Sequence, residues 1–131
     1  MNLSLLTIFL VLFAHWISDF WFQTKNMAEK KSTNIYWLLT HCVVYGAGLF
    51  SILYLFNILS FIDVNSYFEI MIFAILNTIL HFFVDFGTSR LTTKLYKRER
   101  FRMFFNVIGG DQLIHTMTLL ISFYYINYFT L

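Results

Sequence analysis

Residues 67–88, YFEIMIFAILNTILHFFVDFGT, form an apolar segment with a histidine and an aspartate near its end. The segment has about the 20 residues that a helix needs to cross a bilayer. His81 and Asp85 have i, i+4 spacing, so on a helix they lie on one face. Ionisable groups in a membrane segment are costly unless they are paired, hydrated or bound to metal, which makes them functional candidates. The stretch therefore predicts a membrane span that contains part of a site.

The same spacing occurs in two other apolar segments. His15 and Asp19 repeat the order of the first pair, whereas Asp111 and His115 reverse it. A further histidine, His41, also stands in an apolar segment. A single His–Asp pair at this spacing is usually a hydrogen-bonded packing feature. Several such pairs in membrane-like segments indicate a shared site instead.

The composition is typical of an integral membrane protein. Of the 131 residues, 59% are hydrophobic and 12% are charged, compared with about 25% charged in soluble domains. A net charge of +2 indicates no nucleic-acid partner. The single cysteine, Cys42, excludes an intrachain disulfide and a CxxC motif. The N-terminal apolar run lacks the basic region and cleavage site of a signal peptide, so we interpret it as a retained span.

Hydropathy predicts an all-α, four-helix transmembrane bundle in a single domain, residues 1–131. The predicted spans are residues 3–22, 35–62, 67–88 and 104–129, with edges uncertain by a few residues.

The charges of the connections predict an orientation. Residues 23–34 and 89–103 are rich in lysine and arginine, whereas the connection between them has Asp63 and Glu69 and no base. The positive-inside rule places both basic loops in the cytoplasm and both termini outside. We therefore expect a multi-pass membrane protein. The basic run 94–102 either fixes this topology or binds anionic lipid headgroups, and the sequence leaves both readings open.

This topology gathers all the His–Asp pairs in the cytoplasmic half of the bundle. At 1.5 Å rise per residue they lie within roughly 5–15 Å of the cytoplasmic boundary. HWISDF at residues 15–20 and HFFVDF at 81–86 also share the pattern H-x-x-x-D-F. This similarity suggests two parallel helical-hairpin repeats with facing ligands, although a chance resemblance is the alternative.

Imidazole and carboxylate together favour transition metals such as Zn, Mn or Fe. We expect one or two such ions, because the set exceeds what one ion needs. The candidate metal ligands are His15, Asp19, His41, His81, Asp85, Asp111 and His115.

A metal centre of this kind predicts hydrolysis, since a bound metal activates water and polarises the bond to be broken. Asp19 or Asp111 could serve as general base, and Gln23 and Gln112 could orient ligands or substrate. The cations at the mouth of the site could hold a phosphate. These cations are Lys25, Lys30 and Arg90.

The predicted activity is thus that of a metal-dependent hydrolase acting on a lipid-linked phosphate or ester, with membrane lipid as its partner. No G-x-S-x-G motif and no P-loop is present to define the substrate further. Metal or proton transport, or metal binding alone, is the main alternative. The outer halves of the spans show no polar path that would continue across the bilayer, which disfavours transport. A membrane b-type cytochrome is a weaker alternative, because carboxylates beside haem ligands are costly. A homo-oligomer is compatible with the sequence.

The motifs together resemble the DUF3307 family of small bacterial and phage membrane proteins of unknown function. The resemblance rests first on H-x-x-x-D-F-x-x-Q at residues 15–23 and M-A-E-K at 27–30. Later motifs of the family match His41, His81 with Asp85, and D-Q-x-x-H at residues 111–115. The resemblance implies a bacterial or phage-encoded inner-membrane protein. It also implies that Gln23, Lys30 and Gln112 belong to the functional set, and it offers no activity.

Overall fold

The structure is a computed structural model that describes residues 4–62, 64 and 66–129, with only the backbone described for 127–129. Within these ranges it is all-helical and has no strand. The helices are α1 (Leu5–Trp16), α2 (Lys25–Lys30), α3 (Ile35–Ile58), α4 (Tyr67–Lys97) and α5 (Phe101–Phe129). A π-helical turn, Ile17–Trp21, continues α1. Leu3, the predicted start of the first span, and Asp63 of the second connection lie outside the described residues.

Polar caps set where three of the helices begin. A side-chain oxygen of Ser4, Asn34 or Ser66 accepts a hydrogen bond from a backbone N–H in the first turn, at 2.9 to 3.1 Å. Such caps satisfy N–H groups that have no partner within the helix. Each of these helices starts within a few residues of the predicted span.

Two helix ends do not coincide with the edges of the predicted spans. α3 ends at Ile58 rather than at residue 62, because Ser60 adopts a left-handed φ of 60°. α4 continues past residue 88 to Lys97 and carries part of the basic run as helix. Glu99, with a φ of 54°, then reverses the chain into α5. The short helix α2, in the first basic connection, was not predicted.

The four longer helices form a closed arrangement. α1 packs on α3 and α5, α3 packs on α4, and α4 packs on α5, while α2 packs on α3. An apolar core fills the half of this arrangement away from the basic connections. It includes Val11, Leu49, Phe73, Leu119 and Phe123. The His and Asp side chains occupy the other half.

Only part of the four-span prediction is supported by length and hydropathy. α3 and α4 are long and apolar enough to cross a membrane, whereas the apolar segment Leu5–Trp21 is shorter. α5 does not meet the same test over its described residues. The outward faces are nevertheless apolar, with exposed side chains such as Phe9, Val43, Phe83 and Phe105. Surfaces of this kind are rarely left in water.

Glycines allow α3 to approach its neighbours closely. A Cβ on Gly46 would overlap Thr78 Oγ1 and lie 3.2 Å from Thr78 Cβ on α4. A Cβ on Gly48 would lie 2.7 Å from the Phe22 ring and 3.0 Å from Ser18 Oγ. Small residues have this role at helix interfaces in membranes.

Gly46→Ala should lower the thermal midpoint of the detergent-solubilised protein, because Thr78 Cβ is fixed to the backbone of α4 and cannot rotate away. The expected cost is about 1–3 kcal/mol, as for other overpacked sites. Gly87→Ala is the matched control, since a Cβ there meets nothing within 4 Å. It should leave stability unchanged or raise it by up to about 1 kcal/mol through helix propensity. Equal midpoints for the two variants would contradict this account of the α3–α4 contact.

Candidate metal centre

The π turn after α1 determines where Asp19 points. The N–H of Phe22 donates to the carbonyl of Ile17 at 3.1 Å, which is an i, i+5 bond. His15, at the end of α1, and Asp19, within the π turn, are both buried. The Asp19 carboxylate lies beside His41 and His81, whereas His15 Nδ1 lies 3.2 Å from the Tyr45 hydroxyl. π turns often occur at functional sites.

Four side-chain atoms converge beside this turn. His41 Nε2, from α3, lies 3.2 Å from Asp19 Oδ1 and 3.2 Å from Asp85 Oδ2. His81 Nε2, from α4, lies 3.5 Å from Asp19 Oδ1, 3.6 Å from Asp85 Oδ2 and 3.0 Å from His41 Nε2. All four side chains are buried. We call this set the four-atom cluster.

The separations around the two histidine nitrogens are close to those of atoms bound to one metal ion. Bonds of about 2.0–2.1 Å to nitrogen and oxygen place tetrahedral ligand atoms about 3.3 Å apart. The five distances above, each of which involves a histidine nitrogen, scatter around this value, from 3.0 to 3.6 Å. Asp19, His41 and His81 also form one of two groups of buried side chains that could hold a metal ion.

The second group shares a histidine with the first. It consists of His81, Asp85 and His115, which offer ligand atoms within 4.8 Å of one another. Beyond it, Asp111 Oδ2 lies 3.5 Å from His115 Nδ1, without hydrogen-bond alignment. The centroids of the His15 and His115 rings lie 5.7 Å apart. The structure thus gathers all seven predicted metal ligands in one region, with His15 and Asp111 at its edge.

Several imidazole nitrogens in this region have no hydrogen-bond partner among the described residues, although they are buried. Unpaired buried polar atoms are rare in proteins and often mark the position of an ion, a ligand or a water. These atoms are His15 Nε2, His41 Nδ1, His81 Nδ1 and both ring nitrogens of His115. The donor set therefore has capacity beyond the four-atom cluster.

Lys31 is a member of the site that the sequence analysis did not select. Its ammonium lies 2.6 Å from Asp85 Oδ2 and 3.3 Å from His41 Nε2, with the side chain 16% exposed. The turn after α2 brings it there, and α2 in turn begins at the cap Thr24. Lys31 has no regular spacing from the His or Asp residues, so only the tertiary structure shows the contact.

Tyr45 is the second residue that was missed. Its hydroxyl lies 3.2 Å from His15 Nδ1, and its ring stacks on His81 with centroids 4.1 Å apart. The side chain is fully buried and separates the polar region from the apolar core. A sequence signal existed, because Tyr45 stands one helical turn after His41 and therefore on the same face.

A cavity of about 220 Å³, which we call the polar cavity, opens onto the site. Its lining includes the carboxylates of Asp19, Asp85 and Asp111 and the amides of Gln23 and Gln112. Hydroxyl groups from α4 and from the α2–α3 connection also line it. A small polar molecule in this cavity would therefore meet the carboxylates directly.

Asp111 is held in a defined orientation at the polar cavity. Its Oδ1 accepts a hydrogen bond from Thr88 Oγ1 at 2.6 Å, and its Oδ2 accepts one from the Gln112 amide at 3.1 Å. The Gln23 amide instead donates to the backbone carbonyl of Asp19 at 3.3 Å. Gln23 thus contacts the backbone of Asp19, and Gln112 contacts the carboxylate of Asp111, so both could orient these aspartates.

The three predicted phosphate-binding cations lie in different places. Lys25 is 86% exposed and lies 3.8 Å from Glu29 on the same helix. The Lys30 ammonium lies over the Trp37 ring, 5.4 Å from its centroid. Neither lysine lines the polar cavity. Arg90 lines a neighbouring cavity and donates to the Phe86 carbonyl at 2.7 Å.

The fold and the site define an all-helical protein with a buried His/Asp cluster that could hold a metal ion. The chain belongs to the family described as "Protein of unknown function (DUF3307)", whose model matches residues 5–130. This match confirms the resemblance noted from the sequence motifs. Searches of curated proteins and of solved structures gave no significant match.

Lys31→Met should raise the affinity for a divalent metal by roughly tenfold, or about 1.4 kcal/mol. The ammonium already forms an ion pair with Asp85 Oδ2 and lies within hydrogen-bond distance of His41 Nε2, so a metal has to compete with it for both atoms. The metal-free variant should also be less stable, by about 3 kcal/mol, since one partner of a buried ion pair is lost. Metal titration and thermal unfolding would measure both effects.

The control for this prediction is Arg100→Met. It removes one positive charge from a residue that lines neither the polar cavity nor the neighbouring cavity of Arg90, so metal affinity and stability should not change. Weaker metal binding by Lys31→Met would show that the lysine supports the metal centre and does not compete with it.

Proposed function

We propose that this protein is a four-span membrane protein with a His/Asp metal centre near its cytoplasmic face, and that it hydrolyses a phosphate or ester bond of a lipid-linked substrate. The observation that carries the proposal is the buried group Asp19, His41 and His81, which offers three ligand atoms beside the polar cavity. A metal with three protein ligands has a further position for a water, and the cavity lets a water and a substrate reach it.

The membrane part of the proposal is supported by the helices and their surfaces. α3 and α4 are long and apolar enough to span, and the outward faces of all four longer helices carry exposed apolar side chains. α1 with its π turn, and α5, complete the closed arrangement and would cross alongside them. The basic connections lie at the same end as the His/Asp region. The positive-inside rule would place this end in the cytoplasm.

The chemistry of the donor set supports a transition metal. Two imidazoles and two carboxylates are ligands that zinc accepts in tetrahedral sites, and Mn or Fe would also accept them. An ion would offset the negative charges of Asp19 and Asp85, which are otherwise costly to bury. His115, with Asp111 and His15 near it, could hold a second ion or a water. A bound metal would supply an activated water and an electrophile for the bond being broken.

The residues of the polar cavity would provide the remaining functions. Asp111 is the stronger candidate for general base, because Asp19 belongs to the four-atom cluster. The contacts from Thr88 and Gln112 would keep its carboxylate aimed at a water in the cavity. Gln23 would hold the π turn through the Asp19 carbonyl and present its remaining polar atoms to the substrate.

Proton transfer is a second candidate function, and one contact favours it. His41 Nε2 and His81 Nε2 lie 3.0 Å apart, which is also the distance of a hydrogen bond between imidazoles in a relay. Beyond Tyr45, the described interior is mostly apolar core, with a buried hydrogen bond from Asn77 to Ser122 and a buried Glu69. No hydrogen bond within the described residues links these three side chains to the histidines, which disfavours a continuous relay. The tight packing of Tyr45 and His115 on His81, with ring centroids 4.1 and 4.4 Å away, also disfavours a haem at these histidines.

Metal content separates these candidates. Protein purified in detergent without chelator should hold one or two transition-metal ions per chain, and His81→Ala should hold none, since both candidate groups use His81. Cys42→Ala is the matched control, as it changes a buried neighbour of His41 and should keep the metal. Mass spectrometry of the metals and an absorption spectrum would measure this. Wild-type protein without metal would contradict the proposal, and a Soret band would instead indicate a cytochrome.

Asp111→Asn should keep the metal of the four-atom cluster and lower kcat by about 10²–10⁴-fold, the usual contribution of a general base. Release of phosphate or fatty acid from phospholipids and polyprenyl phosphates would be the assay. The amide is nearly isosteric and can still accept the Thr88 hydrogen bond, so stability should change little. A variant with full activity on a substrate that the wild type hydrolyses would exclude Asp111 as the base.

A further inference from the structure

A second polar cavity lies beside the first. It has a volume of about 430 Å³, and we call it the basic cavity. Its lining is Ser32, Arg90, Thr93, Lys94, Lys97 and Arg98. The basic cavity thus has four cationic and two hydroxyl side chains in its lining, and no acidic one.

The cations of the basic cavity have no carboxylate partner within the part of the chain that the structure describes. The ion pairs of lysine with carboxylate in that part belong to Lys25 and Lys31, neither of which lines this cavity. The nearby Glu99 forms no ion pair with them. Like charges around one space repel each other, so an anion in that space would be strongly favoured.

The positions of the cations on α4 are more ordered than a topology signal requires. Arg90, Lys94 and Lys97 follow the i, i+4, i+7 spacing of a single face of α4, and Arg98 caps the C-terminal end of this helix. The positive-inside rule depends on the number of basic residues in a connection and not on the face they occupy. Alignment on one face suits a bound group, because several N–H donors then converge on it.

The basic cavity and the polar cavity share two lining residues, Ser32 and Thr93. A ligand held among the cations would therefore extend past these hydroxyls towards Asp19, Asp85 and Asp111. Lysine, arginine and hydroxyl groups together are the usual protein partners of phosphate oxygens.

We propose that the basic cavity binds a phosphate group of the substrate and so positions the neighbouring bond in the polar cavity. This inference rests on the proposed function. It restricts the substrate of the proposed hydrolase to molecules that carry a phosphate group. The cations and hydroxyl groups of the basic cavity hold the phosphate through charge and hydrogen bonds. The bond that is broken lies on the side of the phosphate that faces the metal centre. The sequence allows two interpretations of the basic run 94–102, namely a topology signal or a site for lipid headgroups. The basic cavity favours the second interpretation.

The test is a binding measurement that does not depend on turnover. Calorimetry would compare short-chain phosphatidate with inorganic phosphate as ligands of the detergent-purified protein, for wild type and for the double variant Lys94→Gln/Arg98→Gln. We expect at least tenfold weaker phosphatidate binding by the variant. Inorganic phosphate that displaces phosphatidate would show that the phosphate alone is recognised, whereas binding of phosphatidate only would show that the lipid-borne group is required. Either result supports the site.

The control is Arg100→Gln/Arg102→Gln, which removes the same charge from the same basic run but from residues that do not line the basic cavity. It should bind phosphatidate like the wild type. Equal binding by all three proteins, or an equal loss in both double variants, would overturn the proposal. Unchanged metal content and thermal midpoint would show that the variants are folded.

Repeating the measurement in the His81→Ala background separates this inference from the proposed function. Phosphatidate binding that persists without the metal supports the phosphate site, even if no hydrolysis is found. Loss of phosphatidate binding in a folded His81→Ala protein would show that the ligand is held by the metal centre and would contradict the assignment to the basic cavity.

Discussion

The arrangement of this protein depends on the burial of two carboxylates, Asp19 and Asp85, against the Nε2 atoms of His41 and His81. Ionised carboxylates lose several kcal/mol each when they leave water, unless a cation or hydrogen bonds compensate them. Lys31 provides part of that compensation from one side. A metal ion among the four atoms would provide it more completely. The remaining features of the site can be understood as ways of holding these groups together.

Local backbone features deliver the groups to one place. The π turn brings Asp19 against His41 of α3 and His81 of α4. Gly48 lets this turn lie against α3, since a Cβ there would meet both Phe22 and Ser18. Tyr45 then closes the inner side by stacking on His81, and the apolar core begins behind it. A rigid polar region and a cavity open at the basic end are the result.

Much of this could be predicted from sequence, because helix periodicity and the cost of buried charge act locally. The all-α class, the long helices and the grouping of all four histidines with Asp19, Asp85 and Asp111 follow from the i, i+4 pairs and their depth in apolar segments. The family match was likewise foreseen from those motifs.

The features that were missed depend on tertiary structure. Lys31 reaches Asp85 only because α2 and its turn fold back on α3, and no spacing rule connects residues 54 positions apart. The π turn is likewise not signalled by the i, i+4 spacing of His15 and Asp19, because its i, i+5 hydrogen bond from Phe22 to Ile17 is a feature of the folded backbone. Lys25 and Lys30 were predicted to bind a phosphate because they lie in the first basic connection. In the structure the Lys25 side chain is exposed and the Lys30 ammonium lies over the Trp37 ring, so neither lines the polar cavity or the basic cavity.

X-ray absorption of the zinc-loaded protein would test the central claim most directly, since it measures the atoms bound to the metal. The account predicts four nitrogen or oxygen neighbours at about 2.0 Å with the outer-shell signal of two imidazoles. A sulfur neighbour at about 2.3 Å, or a shell of oxygen alone without imidazole, would contradict binding at the four-atom cluster.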